Sequence, residues 1–475
     1  MVSFLDLNED IICFHIVPYL DEVDIQSLFL TCKDLYLSLN QSIVWQEMFK
    51  KAFKDDNVPF SIYYKWPQLY KIRKDCKLLT FGNNGNSRLG WFFAPGDQSI
   101  EVLERDHNRR LIKPVELEFG KKRIADVAAG GYTFCVLTTG GDLYFTGRNW
   151  HGMTGLSQPG PSSRDYHFAR ESPSTYQPGR CVNKAEVPPG VKINQIGCGR
   201  SHFIGFDTHN QRLFTWDSMG RLKKGVELAL YFDDNNKITN EILMIRAGWS
   251  FSTCLVHNVG IVVWNRRENL KQVDGEYGPV RATVSVIDGT STILDYIVLD
   301  SFLIYLTDNG DLYKVKLSGD FGSRIGSGKL LKEFQEYVDR HSQQVGKRPR
   351  FVRLSGSFDQ FSAITNDDQV LFGNRQSDHP KIYKELQHNS VISIAVGDYH
   401  YLALNKKGEL YSWGRESHKN GCLGLGKLTD ALSREGVRED GADIVVEHPI
   451  RVPIEGQVLA IAAGGWQSAA LVHEN

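Results

Sequence analysis

A phrase of strands and turns occurs more than once in this chain. Residues 124–147 read IADVAAGGYTFCVLTTGGDLYFTG, and residues 392–414 read ISIAVGDYHYLALNKKGELYSWG. Each stretch contains an apolar strand that ends in a small residue, a second apolar strand, a polar turn with Gly, and a third strand with an aromatic residue. Internal repeats determine the architecture of a protein before any local pattern does. These stretches therefore predict an all-β repeat fold, which favours a binding surface over an enzyme with a pocket.

The small-residue step at the end of the first strand occurs seven times, although the fourth copy is degenerate. The copies are Ala129-Gly130, Cys198-Gly199, Ala247-Gly248, Leu299-Asp300, Ser355-Gly356, Val396-Gly397 and Ala463-Gly464. The shorter spacings between copies match the size of a propeller blade. The last strand, residues 458–472, has no aromatic phrase after it, and the first such phrase, residues 78–82, has no strand before it. We therefore expect the C-terminal strand to complete the blade that begins near residue 78, which closes a ring.

The repeat resembles that of the RCC1-type seven-bladed propeller. The best matches are CGRSH at residues 198–202 and GDYH at residues 397–400, and the resemblance covers about residues 77–475. It implies an all-β, seven-bladed RCC1-like β-propeller. The His of the repeat is replaced at Thr133, Phe251, Leu303, Asp359 and Gln467. We interpret the remaining His residues as structural groups that form hydrogen bonds where blades pack together.

The N-terminal part of the chain forms a different module. Residues 1–60 contain ten Asp and Glu but only four Lys and Arg, whereas the whole chain has a net charge of −1. Such a charge asymmetry indicates two modules. Apolar residues at helical spacing in residues 4–45 predict two or three short amphipathic helices, which are too small to bury much surface on their own.

This helical stretch resembles an F-box, so the expected fold class adds a small N-terminal all-α F-box domain to the propeller. The residues that match the motif are Leu7, Ile12, Ile16, Val17, Tyr19, Leu20, Asp24, Ile25, Cys32, Lys33 and Trp45. The chain departs from the motif at Asn8, where Pro is usual, and at Leu35, where Trp is usual. Pro18 is expected to end or kink the first helix.

The F-box resemblance implies a partner. F-box proteins typically dock on Skp1, which links them to a cullin–RING ubiquitin ligase. The residues that we expect to supply apolar contacts to Skp1 are Leu7, Ile12, Ile16, Leu20, Ile25 and Leu28. The alternative is that these helices form an amphipathic cap on the propeller.

The chain is therefore predicted to have three parts. They are an F-box-like helical domain at residues 1–48, a helical spacer at 49–76, and the propeller at 77–475. The spacer is rich in aromatic residues, so we expect it to couple the two domains rigidly. Three insertions, where loops on a rigid scaffold often carry binding specificity, span residues 157–190, 319–350 and 415–450. The pattern of the middle insertion predicts a helix with Leu330, Phe334 and Val338 on one face.

Composition narrows the function further. The near-neutral charge gives no nucleic-acid signature. No stretch reads as a secretory signal or as a membrane span, so we expect a cytoplasmic or nuclear protein. The eight Cys residues form no C-x-x-C pair, which favours buried free thiols in a reducing compartment over a metal or redox site. Without a candidate nucleophile, base or metal cluster, the sequence predicts neither catalysis nor a cofactor.

The two resemblances together predict a substrate-recognition adaptor of an SCF-type (Skp1–cullin–F-box) ubiquitin ligase. The F-box would dock on Skp1 and the propeller would bind a protein substrate for ubiquitination and degradation. Two alternatives remain: a guanine-nucleotide exchange factor, since some RCC1-type propellers have that activity, and a non-catalytic scaffold with no link to ubiquitin.

Overall fold

The computed structural model describes residues 7–20, 22–53, 64–91, 110–147, 181–216, 225–265, 270–271, 279–288, 292–342 and 348–474. These residues form a helical N-terminal unit followed by seven β-sheets, and the inner strands of each sheet pair antiparallel. The predicted fold class, a small helical domain attached to a seven-bladed propeller, is therefore confirmed.

The helices lie mostly in the N-terminal unit. They are α1 (Glu9–Ile11), α2 (Glu22–Phe29), α3 (Lys33–Leu39), α4 (Ser42–Phe53), α5 (Trp66–Lys74), α6 (Lys332–His341) and α7 (Leu428–Leu432). Wider or tighter helical turns occur at Ile12–Ile16, Val17–Tyr19, Gly85–Ser87, Lys384–Leu386 and Ser417–Lys419. The first helical segment tightens around Pro18 and ends at Tyr19, as expected from the ring of proline.

Each β-sheet is one blade, with its innermost strand at the central axis. From the inside outwards, blade 1 contains Ile124–Ala129, Phe134–Thr138, Leu143–Thr146 and Val182–Lys184. Blade 2 contains Gln195–Cys198, Phe203–Asp207, Arg212–Trp216, Val226–Tyr231, Val280–Thr283 and Leu270–Lys271. Blade 3 contains Ile242–Ala247, Phe251–Val256, Gly260–Asn265, Ser285–Ile287 and Arg324–Ile325. Blade 4 contains Ile293–Val298, Phe302–Thr307, Leu312–Lys316 and Lys329–Leu330.

The remaining blades complete the ring. Blade 5 contains Phe351–Ser357, Gln360–Thr365, Val370–Asn374 and Lys381–Ile382. Blade 6 contains Val391–Val396, His400–Asn405, Leu410–Glu416, Asp443–Arg451 and Val437–Asp440. Blade 7 contains Gln457–Gly464, Gln467–His473, Lys77–Asn83 and Arg110–Glu116.

Blade 7 is built from both ends of the propeller. The C-terminal strand Gln467–His473 pairs antiparallel with Lys77–Asn83, in a register that runs from Lys77 opposite Val472 to Gly82 opposite Gln467. The closure that the unpaired phrases predicted is therefore present. It leaves no innermost strand without a neighbouring blade, which protects the edges of the sheets.

Glycine at the small-residue step allows the blades to meet at the axis. A Cβ atom on Gly130 would lie 2.2 Å from the carbonyl oxygen of Gly199, and one on Gly199 would lie 2.3 Å from that of Gly248. A Cβ atom on Gly464 would lie 2.7 Å from the carbonyl oxygen of Gly130, across the closure between blades 7 and 1. Any larger residue would push neighbouring backbones apart, so this repeated position holds the ring tight.

The two His residues of the repeat join neighbouring blades, as predicted. The Nε2 atom of His202 lies 2.9 Å from Oγ of Ser252 in blade 3, and that of His400 lies 2.8 Å from Oγ of Ser468 in blade 7. Burial lowers the pKa of His400 to about 4, so its ring is neutral at physiological pH. Gln467, which replaces the His in blade 7, donates its amide to the carbonyl oxygens of Gly130 and Thr133 in blade 1.

The structure corrects the description of the insertions. Residues 443–451, most of which were assigned to the third insertion, form a strand of blade 6, although its register shifts between the partners Ser412 and Gly414. In the middle insertion the helix begins only at Lys332, with Phe334 and Val338 fully buried, whereas Leu330 belongs to a strand. Most of the first insertion, residues 157–180, lies outside the described residues.

The glycine step gives a test of the ring. Gly199→Ala should lower the free energy of unfolding by about 3 kcal/mol, because the new methyl group overlaps the backbone of blade 3 and the side chain of His202. Chemical denaturation measures this loss. The matched control is Gly326→Ala, where the new Cβ meets no atom within 4 Å. Equal stability of the two variants would contradict the role assigned to the step.

Candidate functional site

The helical unit has its own apolar core. Its fully buried members are Ile12, Val17, Ile25, Leu39, Val44, Met48, Phe49, Phe53, Leu69 and Tyr70. Phe29 of α2 packs edge-on against Tyr36 of α3, with ring centroids 5.4 Å apart, and also contacts Trp45 of α4 at 6.1 Å. These contacts fix the relative positions of α2, α3 and α4.

Of the six residues predicted to contact Skp1, two belong to this core and four pack against it. Ile12 and Ile25 are only 3% and 0% exposed, so they have almost no surface to offer a partner in this conformation. The other four are partly buried and pack against the core from its edge: Leu7, Ile16, Leu20 and Leu28. Helical spacing identified the stripe that faces inwards, and the structure shows that this stripe holds the unit together.

A second set of apolar residues lies on the outside of the same helices. We call it the helical patch, and its side chains are 42% to 88% exposed: Ile11, Tyr19, Val23, Leu30, Tyr36 and Leu37. Only four comparably exposed large apolar side chains occur in the described part of the propeller: Leu243, Leu294, Val352 and Tyr399. The sequence interpretation missed most of the patch. The i, i+7 spacing of Val23 and Leu30 could have revealed it, because it places two apolar residues on one side of a helix, away from the stripe that faces the core. A concentrated exposed apolar surface marks an interaction site.

Polar contacts attach the helical unit firmly to blade 1. The guanidinium group of Arg73, at the end of α5, donates to the carbonyl oxygens of Ile124 and Ala125 at 2.8 Å each. Arg73 is buried, and its guanidinium carbon lies 4.7 Å from the ring centroid of Phe53. The buried guanidinium group of Arg73 donates two charged hydrogen bonds to the backbone of one strand. Such bonds are strong and depend on direction, so this contact defines the angle between the two domains.

Glu22 makes a second connection between the domains. Its carboxylate, which is only 13% exposed, lies 2.5 Å from the guanidinium group of Arg123 on blade 1. It also pairs with Lys74 and accepts a hydrogen bond from the Tyr70 hydroxyl group at 3.3 Å. One carboxylate at the start of α2 therefore joins α2, α5 and the propeller.

The helical unit lies at the end of the ring where the innermost strands begin. A cavity of about 760 Å³ lies between α4 and several of these strand ends, and Phe49, Phe53 and Met244 are among the residues that line it. We call the opposite end of the ring, where the innermost strands finish at the glycine step, the step face. Innermost strands of about six residues place the two ends roughly 20 Å apart.

A row of aromatic and Arg side chains crosses the step face. The guanidinium carbon of Arg200 lies 4.5 Å from the ring centroid of Trp249 and 5.8 Å from that of Tyr132. Trp249 in turn packs against Phe358 at 4.6 Å, and Phe358 contacts Tyr399 at 6.3 Å. We call these five residues the aromatic row. The cation–π contacts hold the exposed Arg200 in a fixed orientation.

Two ionisable groups near the aromatic row, Asp398 and Arg88, are buried and have shifted pKa values. Burial raises the pKa of Asp398 to about 6, although the nearby Arg200 and Arg88 guanidinium groups lower it. Burial also lowers the pKa of Arg88 to about 10. Among the described residues, no carboxylate lies within ion-pair distance of Arg200. The row therefore combines flat apolar surfaces with a cation whose hydrogen-bond donors are available to a ligand.

Several long connections also start at the step face. The chain reaches this end of the ring after the third strand of each blade, at Gly147 in blade 1 and at Trp216 in blade 2. The residues that follow, 148–180 and 217–224, lie outside the described residues. The predicted insertion of blade 6 begins beside the aromatic row, because the backbone N–H of Arg415 donates to the carbonyl oxygen of Tyr399 at 2.7 Å.

Comparisons with known proteins agree with this architecture. The model of the regulator of chromosome condensation (RCC1) repeat matches residues 391–420 and 407–471. SCF-associated factor 1 of Saccharomyces cerevisiae is 26% identical to this chain over 96% of both proteins. The F-box protein pof9 of Schizosaccharomyces pombe is 25% identical over 98% of this chain and 90% of its own length. The chain is an F-box protein with an RCC1-like propeller.

A solved structure supports the fold of this F-box protein. The crystal structure of Prp20p from Saccharomyces cerevisiae covers 84% of the chain and 92% of its own, with a TM-score of 0.55, although only 14% of residues are identical. That likeness concerns the fold alone. In the described part of the chain, no cluster of His, Cys, Asp and Glu has the arrangement of a metal site. No described helix has the length and apolar character to cross a bilayer.

Arg73 gives a test of the rigid connection between the domains. Arg73→Met should lower the free energy of unfolding by about 2 kcal/mol, because it leaves two buried carbonyl oxygens without donors. Thermal unfolding should also separate into two transitions as the helical unit uncouples. The control is Lys71→Met on the exposed side of α5. A single unchanged transition in the Arg73 variant would contradict the proposed coupling.

Proposed function

We propose that this F-box protein is the substrate-recognition subunit of an SCF-type ubiquitin ligase. The helical patch binds Skp1, the propeller binds the substrate, and other subunits of the ligase supply the chemistry. The names of the two full-length relatives, one SCF-associated and the other an F-box protein, support this role. The observation that carries the proposal is the concentration of six exposed apolar side chains on the F-box unit.

The helical patch has the properties of a protein-binding surface. Burying one Val or Leu side chain contributes about 1.5–3 kcal/mol, so a few such anchors account for stable association. The patch is also held rigidly by the Phe29–Tyr36 contact, which lowers the entropy cost of binding. Leu20 and Leu28 are partly buried residues that the F-box resemblance assigns to the contact with Skp1. They extend this surface.

The step face is the surface we assign to the substrate. It lies at the end of the ring away from the helical unit, so both partners bind without competing for space. Its aromatic row presents flat apolar rings around Arg200, which is the composition of binding hot spots. The rigid junction through Arg73 and Glu22 then holds the substrate at a fixed position relative to Skp1, which raises the effective concentration of the substrate near the ligase.

Substitutions that place negative charges on the helical patch test whether Skp1 docks there. Leu30→Asp combined with Val23→Asp should weaken Skp1 binding at least tenfold, since each loss of about 1.4 kcal/mol is tenfold in affinity. Isothermal titration with purified Skp1 measures the effect. Both side chains are exposed, so the variant should keep the thermal midpoint of the wild type.

The control for this experiment is Leu294→Asp, an equally drastic change at an exposed apolar residue of the propeller. It should bind Skp1 like the wild type. Unchanged binding by the folded double variant would show that the patch is not the docking surface. No binding by the wild type itself would leave the helices as a cap, with nucleotide-exchange assays as the next step.

The substrate surface is tested separately. Arg200→Glu combined with Trp249→Ala should stabilise the same cellular proteins that gene deletion stabilises, because the variant loses its substrate contacts but keeps the helical patch. Half-lives across the proteome, together with Skp1 affinity, measure both properties. The control is Arg340→Glu on the exposed side of α6, which should leave protein half-lives unchanged. Normal turnover of these proteins in cells with the step-face variant would show that the substrate binds to another surface.

A further inference from the structure

Two cysteine side chains on neighbouring blades lie in direct contact. The Sγ atom of Cys135, in the second strand of blade 1, is 3.2 Å from that of Cys198, at the end of the innermost strand of blade 2. A disulfide bond requires about 2.05 Å, so a movement of roughly 1 Å would bring the sulfur atoms to bonding distance. Sequence spacing alone does not reveal this pair, because its members are 63 positions apart.

The two thiols differ in their access to solvent. Cys135 is completely buried, whereas Cys198 is partly exposed and lines a small cavity of about 40 Å³ at the glycine step. Burial, reinforced by the Cys198 thiol, raises the pKa of Cys135 well above its usual value. Cys198 is therefore the thiol that a small reagent reaches first.

The surroundings leave room for the required movement. Cys198 lies beside Gly130, where a Cβ atom would be 3.0 Å from its sulfur, so no side chain at residue 130 crowds this sulfur. The Cys198 sulfur also makes a long polar contact, 3.9 Å to the carbonyl oxygen of Thr133. A contact of this length is too weak to hold the sulfur in place against a shift of roughly 1 Å.

We propose that Cys135 and Cys198 form a redox-modification site that closes to an inter-blade disulfide when hydrogen peroxide oxidises it. The Cys198 thiolate attacks one peroxide oxygen, the O–O bond breaks, and water leaves after protonation of the second oxygen. This step gives a sulfenic acid at Cys198. The Cys135 sulfur then attacks the Cys198 sulfur, the S–O bond breaks, and the thiol proton leaves with the hydroxyl group as a second water. Two thiols are oxidised by two electrons, and one peroxide is reduced.

The disulfide would tie blade 1 to blade 2 beside the step face. The loop that it closes includes residues 148–180, which contain most of the first insertion. Cross-links over long loops restrict the unfolded chain, so the oxidised protein should unfold at a higher temperature. In a reducing compartment such a bond forms transiently, which is the behaviour of redox-sensing thiols rather than of structural disulfides.

The experiment treats the purified full-length chain with hydrogen peroxide, blocks the remaining thiols by alkylation under denaturing conditions, and maps peptides by mass spectrometry. The expected product is a cross-linked peptide pair containing Cys135 and Cys198, with a mass about 2 Da below the sum of the two reduced peptides. Dithiothreitol should reverse it. The midpoint of thermal unfolding should rise on oxidation and return on reduction.

Two variants and one control make the result decisive. Cys198→Ser and Cys135→Ser should each abolish the cross-link and the thermal shift, and the partly exposed position of Cys198 makes its variant the safer one to fold. Cys254→Ser, at a buried thiol of blade 3, should still form the cross-link. Oxidation of folded wild type to sulfinic or sulfonic acids without a Cys135–Cys198 bond, or no reaction at these residues, would overturn the proposal.

Discussion

Hydrogen bonding between strands Lys77–Asn83 and Gln467–His473 holds the two ends of the propeller together. Without this pairing, blades 7 and 1 would lose their contact, and the close approach of Gly464 to the backbone of Gly130 would be lost with it. Blades 1 and 7 gain their second neighbour only because the ring is closed, so the hydrogen bonds that Gln467 donates to Gly130 and Thr133 depend on the same closure. The helical unit depends on it as well, since Arg73 is anchored on an innermost strand of the closed ring.

The proposed function places two binding surfaces on one rigid body. The helical patch lies on one side of the Arg73 and Glu22 junction, and the aromatic row lies at the far end of the innermost strands. Rigidity matters for an adaptor because a flexible connection would spread the substrate over a large volume and lower its effective concentration. The desolvated Arg73 also makes the junction costly to break, which favours one fixed arrangement over a swinging linker.

The fold was more predictable from the sequence than the binding sites were. Recurrence of the Ala129-Gly130 step indicated the number of blades, and the unpaired phrases at residues 78–82 and 458–472 indicated the closure, because the backbone geometry of each repeat is local. The sequence also predicted which apolar residues of the F-box helices share a face. Ile12 and Ile25, expected to contact Skp1, are instead buried inside the helical unit. Periodicity shows which residues share a face, but it does not show which face a partner covers. Contacts between distant residues, such as Cys135 with Cys198 and Arg73 with Ile124, require the folded ring and leave no trace in local spacing.

The central claim is that this chain binds Skp1 through the helical patch while the propeller stays available. Hydrogen–deuterium exchange of the full-length protein, with and without saturating Skp1, tests it most directly. The account predicts slower exchange in Glu22–Phe29 and Lys33–Leu39 and unchanged exchange in the innermost strands around Trp249 and Phe358. Slower exchange at the step face, with none in these helices, would contradict the account.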